Sequence, residues 1–196
     1  MKIEIKNLWK SYEGLTVFEN FNAEFEANQT HAIVGKSGKG KTTFIRLLMG
    51  LETADQGEII GIQEKQISAV FQEDRLCENL SVATNILLPH MGKPSLTKTL
   101  KEEILKNIHG VGLKGWENKL VNELSGGMKR RVSVLRAIHA PYDILFLDEP
   151  FKGLDDQTKA KTIDLVKART KNHMVFFITH DEKELQSITP FKTLYL

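Results

Sequence analysis

Gly35, Gly40, Lys41 and Thr42 stand in the stretch IVGKSGKGKTTF at the spacing G-x-x-x-x-G-K-T, a set of residue types suited to holding phosphate. Glycines at 35, 38 and 40 let the backbone bend so that successive N–H groups turn inward on an anion. A helix beginning near Lys41 adds the positive end of its dipole. The Lys41 ammonium can then reach β- and γ-phosphates, and the Thr42 hydroxyl can offer an oxygen to magnesium. The competing reading is a glycine-rich turn with no ligand. HAIV before the loop reads as a buried strand and TTFIRLLMG after it as a helix, which is the context the phosphate reading requires. Lys36 and Lys39 are loop lysines, a type more often simply solvated.

Three further groups carry candidate chemistry. In ELSGGMKRR, Ser125 is placed to cap a helix, and the N–H groups of Gly126 and Gly127 at that helix start offer a second anion site, although the segment alone reads better as an ordinary capped helix. In ILFLDEP, Ile144 to Leu147 reads as a buried strand with Asp148 at its carboxyl end, where α/β sheets bind ligands. Asp148 is a candidate to hold magnesium, directly or through water, alongside Thr42. Its neighbour Glu149 is a candidate to polarise an attacking water. Taken by itself, an Asp-Glu pair before Pro150 is a strand-end turn. His180, closing the apolar strand FFITHD, is by itself a satisfied structural histidine.

The elements that position these groups follow from periodicity. KIEIKNLWKSY and FENFNAEFEA alternate apolar and polar residues, predicting antiparallel strands joined near Gly14. A strand over 30–34, the phosphate loop and a helix over 41–50 follow, then a turn-rich ETADQGEIIG and a short apolar strand in ISAVFQE. TKTLKEEILKNIHGVGL places Leu100, Ile104, Leu105 and Ile108 on one helical face. SGGMKRRVSVLRAIH is helical with Met128, Val132, Leu135 and Ile138 as its buried stripe, and the helix DQTKAKTIDLVKART lies between the buried strands DILFLDEP and HMVFFITHD. Strands alternating with helices predict a parallel sheet.

Bulk properties narrow the class. A chain of 196 residues suits one α/β domain and is too short for two nucleotide cassettes. With 27 Lys and Arg against 25 Asp and Glu, the net charge of +2 demands neither nucleic acid nor an anionic membrane surface. The single cysteine, Cys77, excludes an internal disulfide framework and suits a reducing cytosol. The N-terminus has no apolar leader core, and runs such as ILFL and VFFI are strand-sized, so secretion by that route and membrane spanning are not expected. Any membrane role has to come through a partner chain.

LSGGMKRR, together with the loop at 35–42, Gln72, ILFLDEP and the final His180 in that order, resembles the ATP-binding cassette (ABC) family over essentially the whole chain. The resemblance implies a P-loop NTPase: a single α/β domain over 1–196, with a mostly parallel central sheet, an N-terminal antiparallel β layer and a helical subdomain over about 73–135 inserted in the core. It implies ATP and Mg2+ as cofactors. Gly35, Lys36, Ser37, Gly38, Lys39, Gly40, Lys41, Thr42 and Thr43 would hold the phosphates, and Tyr12 would stack on adenine, with Trp9 as the other candidate ring or both in the core. Thr42, Gln72 and Asp148 would hold the metal. Glu149, His180 and Gln72 would carry hydrolysis, His180 by contacting the γ-phosphate. Ser125, Gly126, Gly127 and Asp155 would meet an ATP held by the opposite subunit, giving a head-to-tail homodimer or paired cassette around two ATP; Asp155 also reads as a helix cap.

The resemblance further implies transmembrane permease subunits docking near Gln72 to Leu80, an extracytoplasmic solute-binding protein, and a place on the cytoplasmic face of the membrane. The stretches FQEDRLCENLSVATNI and EPFKGLD are similar to importer ATPases for nitrate, sulfonate and taurine. A soluble cassette in DNA repair or translation is the alternative, disfavoured by the lack of a long coiled coil and of a second cassette. A small-molecule kinase would leave LSGGMKRR unexplained. Departures from the pattern are Lys39 for a small residue, Arg130 for the usual glutamine, and an end at FKTLYL before the pattern's last helices.

Overall fold

Residues 2–36, 38–188 and 191–196 are described by the structure, a computed structural model. Alternation in Lys2–Tyr12 (β1) and Leu15–Glu26 (β2) buries Ile3, Ile5, Leu8, Phe18 and Phe25, and the two strands pair antiparallel around Gly14, whose φ of 86° suits glycine. Thr30–Val34 (β3) runs into the glycine-rich loop and Lys41–Leu48 (α1). The stretch expected only as a turn contains Gln56–Ile60 (β4), which pairs antiparallel with β1 and completes a three-stranded sheet in the order β2-β1-β4. Its sequence, QGEII, has too few apolar residues to announce a strand; pairing with a preformed edge decides it.

Ile67–Val70 (β5) precedes the helical part of the chain: Val82–Leu87 (α2), Lys98–Gly110 (α3) and Gly126–His139 (α4). Ser81 and Thr97 cap α2 and α3, each accepting the backbone N–H three residues on. Ile104 and Ile108 of α3 are buried as expected, but Leu105 remains 43% exposed, because the neighbours of α3 cover a narrower stripe than the periodicity marks. In α4, Val132, Leu135 and Ile138 are buried and Met128 packs at the margin.

Ile144–Asp148 (β6), Asp156–Thr170 (α5), Met174–Ile178 (β7), Glu182–Ser187 (α6) and Phe191–Tyr195 (β8) complete the chain. All pairs in the five-stranded sheet β5-β6-β7-β3-β8 are parallel. β8, not anticipated, is an edge strand, and Leu196 beyond it donates its N–H to the Val34 carbonyl at 2.9 Å.

Alternate side chains of the central strands divide between two cores. Phe146, Met174, Phe176 and Ile178 meet Phe44, Ile45 and Leu48 of α1 and the inner face of the antiparallel sheet, with Phe146 stacked on Phe176 at 4.9 Å. Leu145, Leu147, Val175 and Phe177 face the opposite way, into the helical layer with Val132, Leu135, Ile163 and Val166. Truncating Phe146 or Phe176 to alanine would cost about 3–5 kcal/mol. Packing on both faces fixes where the carboxyl ends of β3, β6 and β7 emerge.

Candidate functional site

The loop after β3 is shaped by contacts that exclude larger side chains. Gly40 caps α1 at φ 87°, and a Cβ there would stand 2.5 Å from the Val17 side chain. Both conformation and space therefore require glycine. A Cβ on Gly35 would meet the Leu196 carbonyl oxygen at 2.8 Å, so the end of the chain packs directly on the loop. Lys41, 8% exposed, folds over the loop and donates its ammonium hydrogens to the carbonyls of Gly35 at 2.7 Å and Lys36 at 2.9 Å. Those bonds hold the positive charge over the concave side of the loop, beside the amino end of α1. Lys36, Gly38 and Lys39 are exposed, and Ser37 lies outside the described residues.

Both acidic groups stand at the carboxyl end of β6, and His180 follows the neighbouring β7. Asp148 pairs with Ile178 across β6 and β7, and the Glu149 N–H continues the contact by donating to the Ile178 carbonyl at 2.9 Å. Glu149 adopts φ 47°, a left-handed conformation costing about 1–3 kcal/mol for such a residue and held here by the flanking hydrogen bonds. One oxygen of its carboxylate lies 3.3 Å from His180 Nε2, and the other accepts from Lys152 Nζ at 2.9 Å. Burial pushes the Asp148 carboxyl above its ordinary range; the Glu149 charge adds to this, and Arg130, Lys41 and His180 oppose it.

A cavity of about 270 Å3 joins these groups: Tyr12, Gly38, Gly40, Lys41, Thr42, Thr43, Gln72, Asp148, Glu149 and His180 all line it. Trp9 sits in β1 opposite Gln56 and is not among the lining residues, so the ring at the cavity mouth is Tyr12, with Lys10 Nζ 5.0 Å from its centre. A larger cleft of about 530 Å3, between Gln29, Lys167 and Phe191, opens at the opposite, amino-terminal edge of the strands and holds none of these groups. The hard oxygens of Thr42, Gln72 and Asp148 suit magnesium, and with one carboxylate among them the remaining positions would fall to water and phosphate oxygens. A carboxyl whose charged form is disfavoured by burial is also one that a cation relieves.

Ser125, Gly126, Gly127 and Asp155 do not line this cavity. Ser125 caps α4, its hydroxyl accepting the Met128 N–H at 3.4 Å, and it is exposed together with Gly126. Asp155 caps α5 through the Thr158 N–H at 3.0 Å, and that bond holds its carboxyl below the ordinary range. A Cβ on Gly127 would stand 3.2 Å from the Gly153 carbonyl, so the turn carrying Lys152 and Asp155 leans on the start of α4. Two side chains that contact Glu149 were missed at the level of sequence. Lys152 follows Glu149 by three positions, and its ion pair with the Glu149 carboxylate has no signal in the sequence. Arg130 stood out as a departure from pattern, with no indication of what it touches.

A family model described as ABC transporter matches residues 18–152. A spermidine/putrescine import ATP-binding protein of Mesoplasma florum is 32% identical over 198 residues, covering 95% of this chain and 57% of the relative. A sulfate/thiosulfate import ATP-binding protein of Mannheimia succiniciproducens is 32% identical over 204 residues, covering 96% of this chain and 57% of the relative. The chain thus spans little more than half the length of these relatives. Among solved structures, the dimeric structure of a bacterial ABC transporter cassette is 25% identical with a TM-score of 0.84, covering 99% of this chain and 94% of that one.

Proposed function

Since this chain belongs to the ABC transporter family, a P-loop NTPase fold, we propose that it is an ATP-hydrolysing subunit, paired head to tail with a second cassette and driving solute through separate membrane subunits. The observation carrying this proposal is the single cavity that gathers the phosphate loop, Gln72, Asp148, Glu149 and His180 while leaving Ser125 and Gly126 exposed, and Gly127 half-buried, outside it.

Within the chain, Lys41 and the N–H groups of the loop bind and orient the phosphates, and Tyr12 presents its ring to the base. Thr42, Gln72 and Asp148 would hold magnesium, whose chemistry is to neutralise charge on the phosphate oxygens. Glu149 accepts a hydrogen bond from the attacking water and orients it for in-line attack, and His180, 3.3 Å from the Glu149 carboxylate, contacts the terminal phosphate. The second cassette supplies Ser125, Gly126, Gly127 and Asp155, and in a two-fold pair each chain both gives and receives them. Closure around ATP and opening after hydrolysis then follow from whether the terminal phosphate still joins the halves.

No helix among the described residues is long and apolar enough to cross a membrane. In this reading the membrane path belongs to permease subunits. The exposed segment near Gln72 to Leu80 is their docking place, which puts the cassette on the cytoplasmic face. The names of the relatives point to import, of spermidine/putrescine or of sulfate/thiosulfate. A nitrate-, sulfonate- or taurine-type solute, received from an extracytoplasmic binding protein, rests on motif style alone.

Size-exclusion chromatography with light scattering on Glu149→Gln, with and without ATP and magnesium, tests the pairing. An ATP-dependent doubling of mass is expected; a monomer under saturating ATP would remove the homodimer.

A further inference from the structure

Arg130 is buried, 4% exposed, and the chemistry above leaves it without a task. All five of its N–H donors are used. Nη1 donates to the Phe71 carbonyl at 2.6 Å and to the Asp74 carboxylate at 3.0 Å, with the Gln72 carbonyl more distant at 3.5 Å. Nη2 donates to the carbonyls of Asp148, at 2.6 Å, and Glu149, and Nε to the Glu149 carbonyl at 3.2 Å. The placement has a topological cause. β5 and β6 are paired as far as Val70 and Leu147, and the register ends there as the chains part towards Phe71 and Asp148. The guanidinium sits where the ladder stops and replaces interstrand bonds with its own planar fork. Asp74 is its only ion-pair partner among the described residues, and the Asp74 carbonyl is itself held by Arg136 at 3.2 Å, from the same helix.

We propose that Arg130 is a positioning residue that ties the Phe71–Asp74 segment to the carboxyl end of β6, so that displacement of the segment is passed to Glu149 through the guanidinium. The inference rests on the assignment of Glu149 as the hydrolytic group. Arg130 does not line the cavity and touches Glu149 through its main chain, so its loss acts on the turnover step more than on nucleotide affinity. A glutamine has one carbonyl and one amide at its end and cannot span both strand ends as the fork does, which gives this chain's departure from the family pattern a physical meaning.

The test uses the purified full chain as Arg130→Lys, Asp74→Asn and the double variant. Lysine keeps the charge but is a point donor. Arg130→Lys is expected to lower kcat about ten-fold with KM for magnesium-ATP within about two-fold. Asp74→Asn is expected to lower kcat about three-fold in the parent and to add nothing in the Arg130→Lys background, the mark of two groups acting as one unit. Amide exchange of the peptide containing Glu149 should accelerate in parallel. Full kcat in folded Arg130→Lys, or an Asp74→Asn effect equal in both backgrounds, would overturn the link. A parent that does not hydrolyse ATP would strike the functional proposal, and exchange at Glu149 then decides the link alone: acceleration by Asp74→Asn supports it, and unchanged exchange overturns it. The same single variant decides if Arg130→Lys fails to fold.

Discussion

The carboxyl edge of the parallel sheet and the amino end of α4 both offer helix-start N–H groups to an anion, but their surroundings differ. At the first, Lys41 covers the loop carbonyls, Asp148 and Glu149 stand beside it, and His180 and Lys152 bracket the Glu149 carboxylate. At the second, Ser125 and Gly126 are exposed, and the Ser125 hydroxyl is used to cap its own helix. In the proposed reading the first is a site with its chemistry assembled, and the second is half of one. A helix start alone supplies a few partial charges, whereas hydrolysis needs a cation, a metal ligand and a water-orienting carboxylate within a few ångströms.

That contrast can be broken most severely by mixing two dead chains. Lys41→Met should lower ATP affinity at least about a hundred-fold, and Gly126→Asp should leave single-chain ATP affinity intact while blocking pairing through charge repulsion with phosphate. A one-to-one mixture should recover up to about half of parental ATPase activity, because a mixed dimer rebuilds one of two sites while neither variant pairs with itself. No recovery in the coupled ATPase assay would mean that the two regions do not complete one another.

Asp148→Asn sharpens the electrostatic side of the comparison. Magnesium-dependent hydrolysis should fall by about a hundred-fold or more, while the melting temperature at neutral pH rises by on the order of 2–4 °C for each kcal/mol recovered. The sign follows from the raised carboxyl: its charged form is disfavoured in the folded state, so the parent loses stability as pH rises through the folded-state pKa. The gain from asparagine should therefore shrink on acidification, and thermal melts across pH would check it. Tyr12→Ala should raise KM for ATP about ten-fold with little change in kcat, read from steady-state kinetics. The smallest effect belongs to Asp155→Ala, about 1 kcal/mol of stability from the lost cap in urea unfolding, present whether or not a partner chain is added.

The phosphate loop, the strand ending in Asp148 and Glu149, and the α5 boundaries were legible in sequence because each is settled by neighbours within a few positions: glycines where the backbone must turn, an apolar run before an acid, a capping aspartate. β4 was hidden because QGEII becomes a strand only against the edge of β1, and β8 because its half-exposed pattern gains meaning only beside β3. Leu105 fits the helical period and still faces solvent, since periodicity names a face without saying how wide its cover is.

By itself the sequence singled out the groups proposed to bind phosphate, metal and water, since those depend on residue type at short spacing. Only the tertiary structure decided how they bear on one another. Lys152 reaches the Glu149 carboxylate because Glu149 turns back at φ 47°. Arg130 meets Phe71 across 59 positions of chain, where two strands part and leave carbonyls that need a donor. Such contacts have no local signature, because a buried polar group takes whichever partner the packed chain brings within hydrogen-bond distance.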